Sequence, residues 1–101
     1  MRRYAFIINP VSGTRSKDKI EKEILSQVDR RGLKAEIAWT EYAGHATELA
    51  REFARDGYSI VVAVGGDGTV NEVAKGLIGS DAALAIIPTG SGNGLANHLG
   101  F

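Results

Sequence analysis

From Gly65 to Glu72 the chain reads Gly-Gly-Asp-Gly-Thr-Val-Asn-Glu, which sets glycines, a carboxylate and a hydroxyl side by side. Ile60 to Val64, just before, is an apolar run of strand character. Just after, Val70, Val73, Ala74, Leu77 and Ile78 recur at helical spacing. The octet therefore joins a buried strand to an amphipathic helix. Glycines at such a junction let a large anion approach the backbone with no Cβ in the way. The N-terminus of the following helix offers that anion unpaired N–H groups and the positive end of a dipole. Phosphate binding is the chemistry this arrangement suits.

Three other segments carry small polar side chains of the same kind. Asn9-Pro10-Val11-Ser12-Gly13 follows the apolar run Tyr4 to Ile8, Thr40 precedes Gly44-His45-Ala46, and Thr89 to Gly94 follows Leu84 to Ile87. Ser12, Thr14, Thr69, Thr89, Ser91 and Asn93 supply hydroxyl or amide groups that can donate to phosphate oxygens or approach magnesium without bulk. Each segment also has a plainer reading. A strand–Gly–helix junction can be a turn requirement, and Asp67 alone can be a helix N-cap. Asn71 and Glu72 can be a solvated first turn, and Asn9-Pro10 an ordinary turn. His45 and His98 are isolated, with no metal-ligand spacing, and Trp39 and Phe53 read as core.

The elements that must position these segments alternate. Strands are expected at Tyr4 to Ile8, Ala35 to Trp39, Ile60 to Val64 and Leu84 to Ile87. The first helix spans Lys17 to Arg30, with Ile20, Ile24, Leu25 and Val28 on one face and Gly32 as its stop. The second spans His45 to Arg55, with Ala46, Leu49, Ala50 and Phe53 inward. The third spans Thr69 to Ile78, and a last one begins near Asn93. Such alternation implies parallel β-α-β units with right-handed crossovers. The fold class is α/β: a three-layer, doubly wound, mostly parallel sheet with helices on both faces. In that architecture the loops after the strands share one edge, where ligands bind. All four polar segments fall there, and their convergence favours a phosphate or nucleotide site over the plainer readings.

Composition narrows the partners. The 101 residues are enough for one compact domain. Twelve basic residues balance twelve acidic ones, so there is no electrostatic footprint for nucleic acid. The absence of cysteine removes disulfides and thiolate chemistry and fits a reducing cytoplasm. No apolar run approaches the roughly 18 residues of a membrane span, and Tyr4 to Ile8 is too short for a signal-peptide core. A soluble intracellular domain is expected. No Gly-x-x-x-x-Gly-Lys-Ser/Thr run is present, Asn71 stands where the dinucleotide fingerprint needs its third glycine, and no Ser-His-Asp or Cys-His set is visible.

The octet resembles the signature of the diacylglycerol kinase catalytic-domain family, which includes bacterial lipid kinases and sphingosine kinases. Asn9 to Gly13 is similar to that family's Asn-Pro-x-Ser-Gly opening, Thr40 with Gly44-His45-Ala46 to its Thr…Gly-His-Ala segment, and Pro88 to Asn93 to its Pro-x-Gly-Thr-x-Asn loop. Gly-Gly-Asp-Gly-Thr alone is shared with NAD kinases and, loosely, phosphofructokinases. The attached Asn71-Glu72 and the Asn-Pro-x-Ser-Gly opening favour the lipid kinases. Two residues depart from the pattern: Ser91 replaces a Thr, and Gly94 stands where an Asp often follows. The resemblance implies transfer of the ATP γ-phosphoryl group to a lipid hydroxyl, such as that of diacylglycerol at the membrane surface, with magnesium bridging the phosphates.

On that resemblance, Asn9, Ser12, Gly13, Thr40, Gly65, Gly66, Gly68, Thr69, Gly90, Ser91 and Asn93 are expected to hold the nucleotide. Asp67 is expected to do magnesium-side or base chemistry, with Glu72 orienting the loop or the substrate. Arg15, Lys17 and Lys19 are candidates for neutralising phosphate charge, or an exposed helix face. The resemblance further implies that 1–101 is the nucleotide-binding half of a cytoplasmic, peripherally membrane-associated kinase. The family's second, mainly β domain is expected to be missing, the chain reading as an excised fragment. An NAD kinase-like phosphotransferase and a non-catalytic nucleotide-binding module are the alternatives.

Overall fold

The computed structural model describes residues 3–10, 17–30 and 34–87, with side chains of the first helix described from Lys22 onward. Strands β1 (Arg3–Ile8), β2 (Lys34–Trp39), β3 (Ile60–Val64) and β4 (Ala83–Ile87) alternate with helices α1 (Lys17–Arg30), α2 (His45–Arg55) and α3 (Asp67–Leu77). The strands form one parallel sheet in the order β2-β1-β3-β4. The chain thus winds outward from β1 to β2, then reverses past β1 to β3 and β4. Right-handed crossovers of opposite sense run on opposite faces of a sheet, and the helices sort accordingly. Ile24 and Val28 of α1 pack with Tyr4, Phe6, Ile8, Val62 and Val64 on one face. Ala46 and Ala50 of α2 and Val73 and Leu77 of α3 pack with Ala5, Ile7, Val61 and Ala63 on the other.

Alternation within each strand generates these two cores, since successive side chains point to opposite faces. β1, hydrogen-bonded on both sides and covered on both faces, has Ala5 through Ile8 fully buried. On β4, the last described strand of the sheet, Leu84 and Ile86 by contrast stay partly exposed on the α2/α3 face. The doubly wound expectation is met, and α1, α2 and β3 have the expected bounds.

Two packing expectations fail. Leu25 is 48% exposed, because it lies about 100° around α1 from Ile24, off the stripe that meets the sheet. Ile78 is 80% exposed. It is the C-cap of α3, with φ −58° and ψ 129°, and the left-handed Gly79 (φ 81°) follows; the chain turns out of the helix and carries Ile78 into solvent. α3 also starts at Asp67 rather than Thr69, because the extended Gly66 caps it directly. Among the described residues no helix is long and apolar enough to cross a membrane.

Candidate functional site at the switch point

The four strands end on one line. Ile8 is in register with Trp39 and with Val64, and Val64 with Ile87. Each following loop begins with one more ladder-like bond: Asn9 N donates to Val64 O (3.1 Å), Thr40 N to Ile8 O (2.9 Å) and Gly65 N to Ile87 O (3.1 Å). Asn9, Thr40 and Gly65 are therefore placed side by side at the carboxyl edge. β1 and β3, whose crossovers leave in opposite directions, are neighbours there, which makes this the crevice where ligands of open α/β sheets bind.

Across that crevice Asn9 Nδ2 donates to Thr69 Oγ1 at 3.3 Å, linking the end of β1 to the first turn of α3. Thr69 is buried, at 5% exposure. Gly66 is the N-cap of α3 and provides no side-chain cap; Val70 N is bonded to Gly66 O, so the amides of Asp67, Gly68 and Thr69 precede the first intrahelical bond. Gly66 has φ −90° and Gly68 lies within the helix. A Cβ built on either meets nothing within 4 Å. Among the described residues, neither backbone conformation nor packing requires glycine at these two positions. Asp67 is the first residue of α3, not its cap, and its side chain is exposed.

Beside this rim, a cleft of about 470 Å³ is lined by Asn9, Thr40, Glu41, Tyr42, Thr69 and Glu72, among others. The structure thus brings Asn9, Thr40, Thr69 and Glu72 to one cavity, with Gly65, Gly66, Asp67 and Gly68 at the adjoining helix start. Ser12, Gly13, Thr14, Arg15, Thr89, Gly90, Ser91, Asn93, Gly94, His98 and the expected last helix lie outside the described residues, as do the side chains of Lys17 and Lys19. A larger groove of about 740 Å³, bordered by Arg51, Arg55, Ser59 and Asp81, opens at the opposite edge, where β3 and β4 begin. None of the expected site residues borders it.

Residues 3–101 match a family model described as the diacylglycerol kinase catalytic domain. The chain belongs to the diacylglycerol kinase catalytic-domain family. It is 37% identical to a diacylglycerol kinase of Bacillus subtilis (strain 168), over 100% of this chain and 34% of that protein. It is 33% identical to sphingosine kinase B of Dictyostelium discoideum, over 99% of this chain and 14% of that one. Its fold superposes on the crystal structure of a diacylglycerol kinase from Bacillus anthracis str. Sterne with TM-score 0.76 and 30% identity, over 91% of this chain and 34% of that chain. The chain spans about a third of the length of these bacterial relatives.

Three features of this family member's site were not singled out from sequence. Tyr42 borders the cleft, its hydroxyl donating to Glu48 Oε2 at 2.9 Å. That hydrogen bond, reinforced by the surrounding carboxylates, raises the Tyr42 phenol above its ordinary pKa. Thr47 Oγ1 donates to Glu72 O at 2.8 Å, tying α2 to the first turns of α3. Gly76 lets α2 approach α3 closely: a Cβ there would meet Thr47 O and lie 2.7 Å from Ala50 Cβ. Only Gly76 had a readable signal, as a glycine inside a helical pattern, which marks close packing when it does not mark a break.

Proposed function

We propose that this chain is the nucleotide-binding half of an ATP-dependent lipid kinase, which transfers the ATP γ-phosphoryl group to a lipid hydroxyl such as that of diacylglycerol. The observation that carries the reading is the start of α3. Two glycines that no described neighbour or backbone angle requires flank amides with no side-chain cap at the switch point, and a Cβ there would stand in the way of an approaching anion. Membership of the family supports the kinase class, and the names of the relatives support a lipid acceptor.

In this reading the phosphates lie against the amides of Asp67, Gly68 and Thr69, where the helix dipole favours negative charge. Asn9, bonded to Thr69, holds the β1 loop against that turn and offers its amide to the same anion. Bound Mg·ATP supplies the transferable phosphoryl group and the charge neutralisation that such transfer depends on. Among the described residues no cluster of three or more His, Cys, Asp or Glu could enclose a metal. The donor set therefore fits magnesium carried by the phosphates, with Asp67 the carboxylate nearest the helix start and available to it. Glu72, half-buried in the cleft, orients the neighbouring loop. The acceptor pocket is supplied by residues outside these 101, a view supported by the threefold greater length of the bacterial relatives.

The test is a titration of Mg·ATP into isotopically labelled protein, followed through backbone amides. Shifts concentrated at Gly66, Asp67, Gly68 and Thr69 are expected, with little or no phosphorylation of diacylglycerol vesicles by these residues alone. Absence of shifts at the α3 start would overturn the nucleotide site. Robust diacylglycerol phosphorylation would overturn the half-kinase view.

A further inference from the structure

The cleft beside the phosphate rim carries an aromatic ring that is both exposed and held. Tyr42 is 55% exposed, and an exposed tyrosine in a turn ordinarily rotates freely. Here three contacts remove that freedom. The hydroxyl is tied to Glu48 Oε2 at 2.9 Å. One ring face lies against the His45 imidazole, with centroids 4.4 Å apart and planes inclined by 14°. His45 is in turn fixed by Glu41 N, which donates to its Nδ1 at 2.9 Å. The ring's exposure therefore belongs to its other face and edge, and the ring borders the same cleft as Asn9 and Thr69.

We propose that Tyr42 is the platform on which the nucleobase of the bound nucleotide stacks. This rests on the reading of the α3 start as a triphosphate site. The phosphates occupy the α3 end of the cleft and the planar base lies over the open face of Tyr42. Ordering the ring before the ligand arrives lowers the conformational cost of stacking. The polar contacts fall on the hydroxyl and on the face turned away from the ligand, so recognition is by π-surface and tolerates different bases. The plainer account, a tyrosine serving only to brace the turn before α2, predicts the same stability but no effect on ligands.

The experiment compares Mg·ATP with magnesium tripolyphosphate, which has the phosphates without the base, on wild type, Tyr42→Ala and Tyr42→Trp. Affinities are read from amide shifts at Gly66 to Thr69. Wild type is expected to bind ATP about ten-fold more tightly than tripolyphosphate. Tyr42→Ala is expected to abolish that ratio while leaving tripolyphosphate binding within about two-fold, and Tyr42→Trp to restore it. Nuclear Overhauser contacts between adenine protons and the Tyr42 ring are expected as well. Equal affinities in wild type, or an unchanged ratio in Tyr42→Ala, would overturn the platform while leaving the phosphate site standing. Parallel loss of both ligands in Tyr42→Ala would assign the residue to bracing alone. Failure of tripolyphosphate and ATP alike to bind wild type would overturn the underlying site and the platform with it.

Discussion

Gly68→Ala and Gly76→Ala make the same chemical change in one helix, yet the structure gives them opposite consequences. At Gly68 the new methyl meets nothing within 4 Å, and alanine is the better helix former by about 0.5–1 kcal/mol. For a domain of this size that corresponds to a rise in Tm of about 2–6 °C. At Gly76 the methyl would run into Thr47 O and the Ala50 side chain. Overpacking of this kind costs about 1–3 kcal/mol, and because one of the atoms met is a backbone oxygen that cannot step aside, the cost should exceed the propensity gain and lower Tm by up to about 10 °C. Affinity for Mg·ATP should move the other way at Gly68. A Cβ beside the helix-start amides displaces the phosphate from a charge-assisted hydrogen bond of about 1.5–3 kcal/mol, a loss of about ten-fold or more. Circular-dichroism melts and amide-detected titrations measure both quantities on the same samples. A lower Tm for Gly68→Ala would show that glycine there serves the fold. Unchanged ATP affinity in a stabilised Gly68→Ala would remove the phosphate from the α3 start.

Phe6→Ala truncates a fully buried ring in the central strand; it should cost about 3–5 kcal/mol, most of the stability of a small domain, and a denaturant titration will show it. Thr47→Val removes the bond to Glu72 O while keeping shape. Because that carbonyl retains its helical partner, the loss should be about 0.5–1.5 kcal/mol in the same assay, with Thr47→Ser restoring it. The Tyr42 phenol should titrate above 10.0, read as the difference in ultraviolet phenolate absorbance between wild type and Tyr42→Phe, with Glu48→Gln lowering the midpoint. Because the folded-state pKa exceeds the unfolded one, the stabilisation is present below about pH 10 and is lost as pH rises through the folded value. Asp67→Ala should leave the amide response to tripolyphosphate in place, since the carboxylate is exposed and in the first turn of α3 contributes only a small dipole interaction; a melted α3 would contradict its placement.

Periodicity carried most of the fold because every described strand is parallel and every described helix presents one apolar stripe to it. Ile24 with Val28, and Ala46 with Ala50, announce their faces by spacing alone. The failures have local causes. Leu25 was apolar but off the stripe, and spacing of single residues does not say how wide a face the sheet covers. Ile78 continued the apolar pattern of α3, but the helix ends at Leu77, and Ile78 is its non-helical C-cap ahead of the left-handed Gly79. The helix start was legible as chemistry and misread as geometry: Gly66 is an extended cap with no side chain, so nothing in its neighbours marks Asp67 as helical. Tyr42 could not be found by any periodic signal, because its environment is made by Glu41, His45 and Glu48 closing on one ring within a turn.

Of the helices that begin at the carboxyl edge, α2 and α3 both have a glycine N-cap with no side-chain cap. In the proposed nucleotide reading, one of them receives the phosphates. Gly44, before α2, has φ 89°, a conformation that other residues adopt only at a cost, so its presence is explained by the turn. Gly66, before α3, has φ −90°, open to any residue, and Gly68 sits in a helix that would be more stable with alanine. Serine or aspartate at position 66 would cap α3 and satisfy an amide. A fold selected for stability alone would use them. Their absence leaves the first amides of α3 without a side-chain cap, beside the Asn9–Thr69 bridge and at the reversal of strand order, and this is what favours α3 over α2 in the proposed phosphate reading.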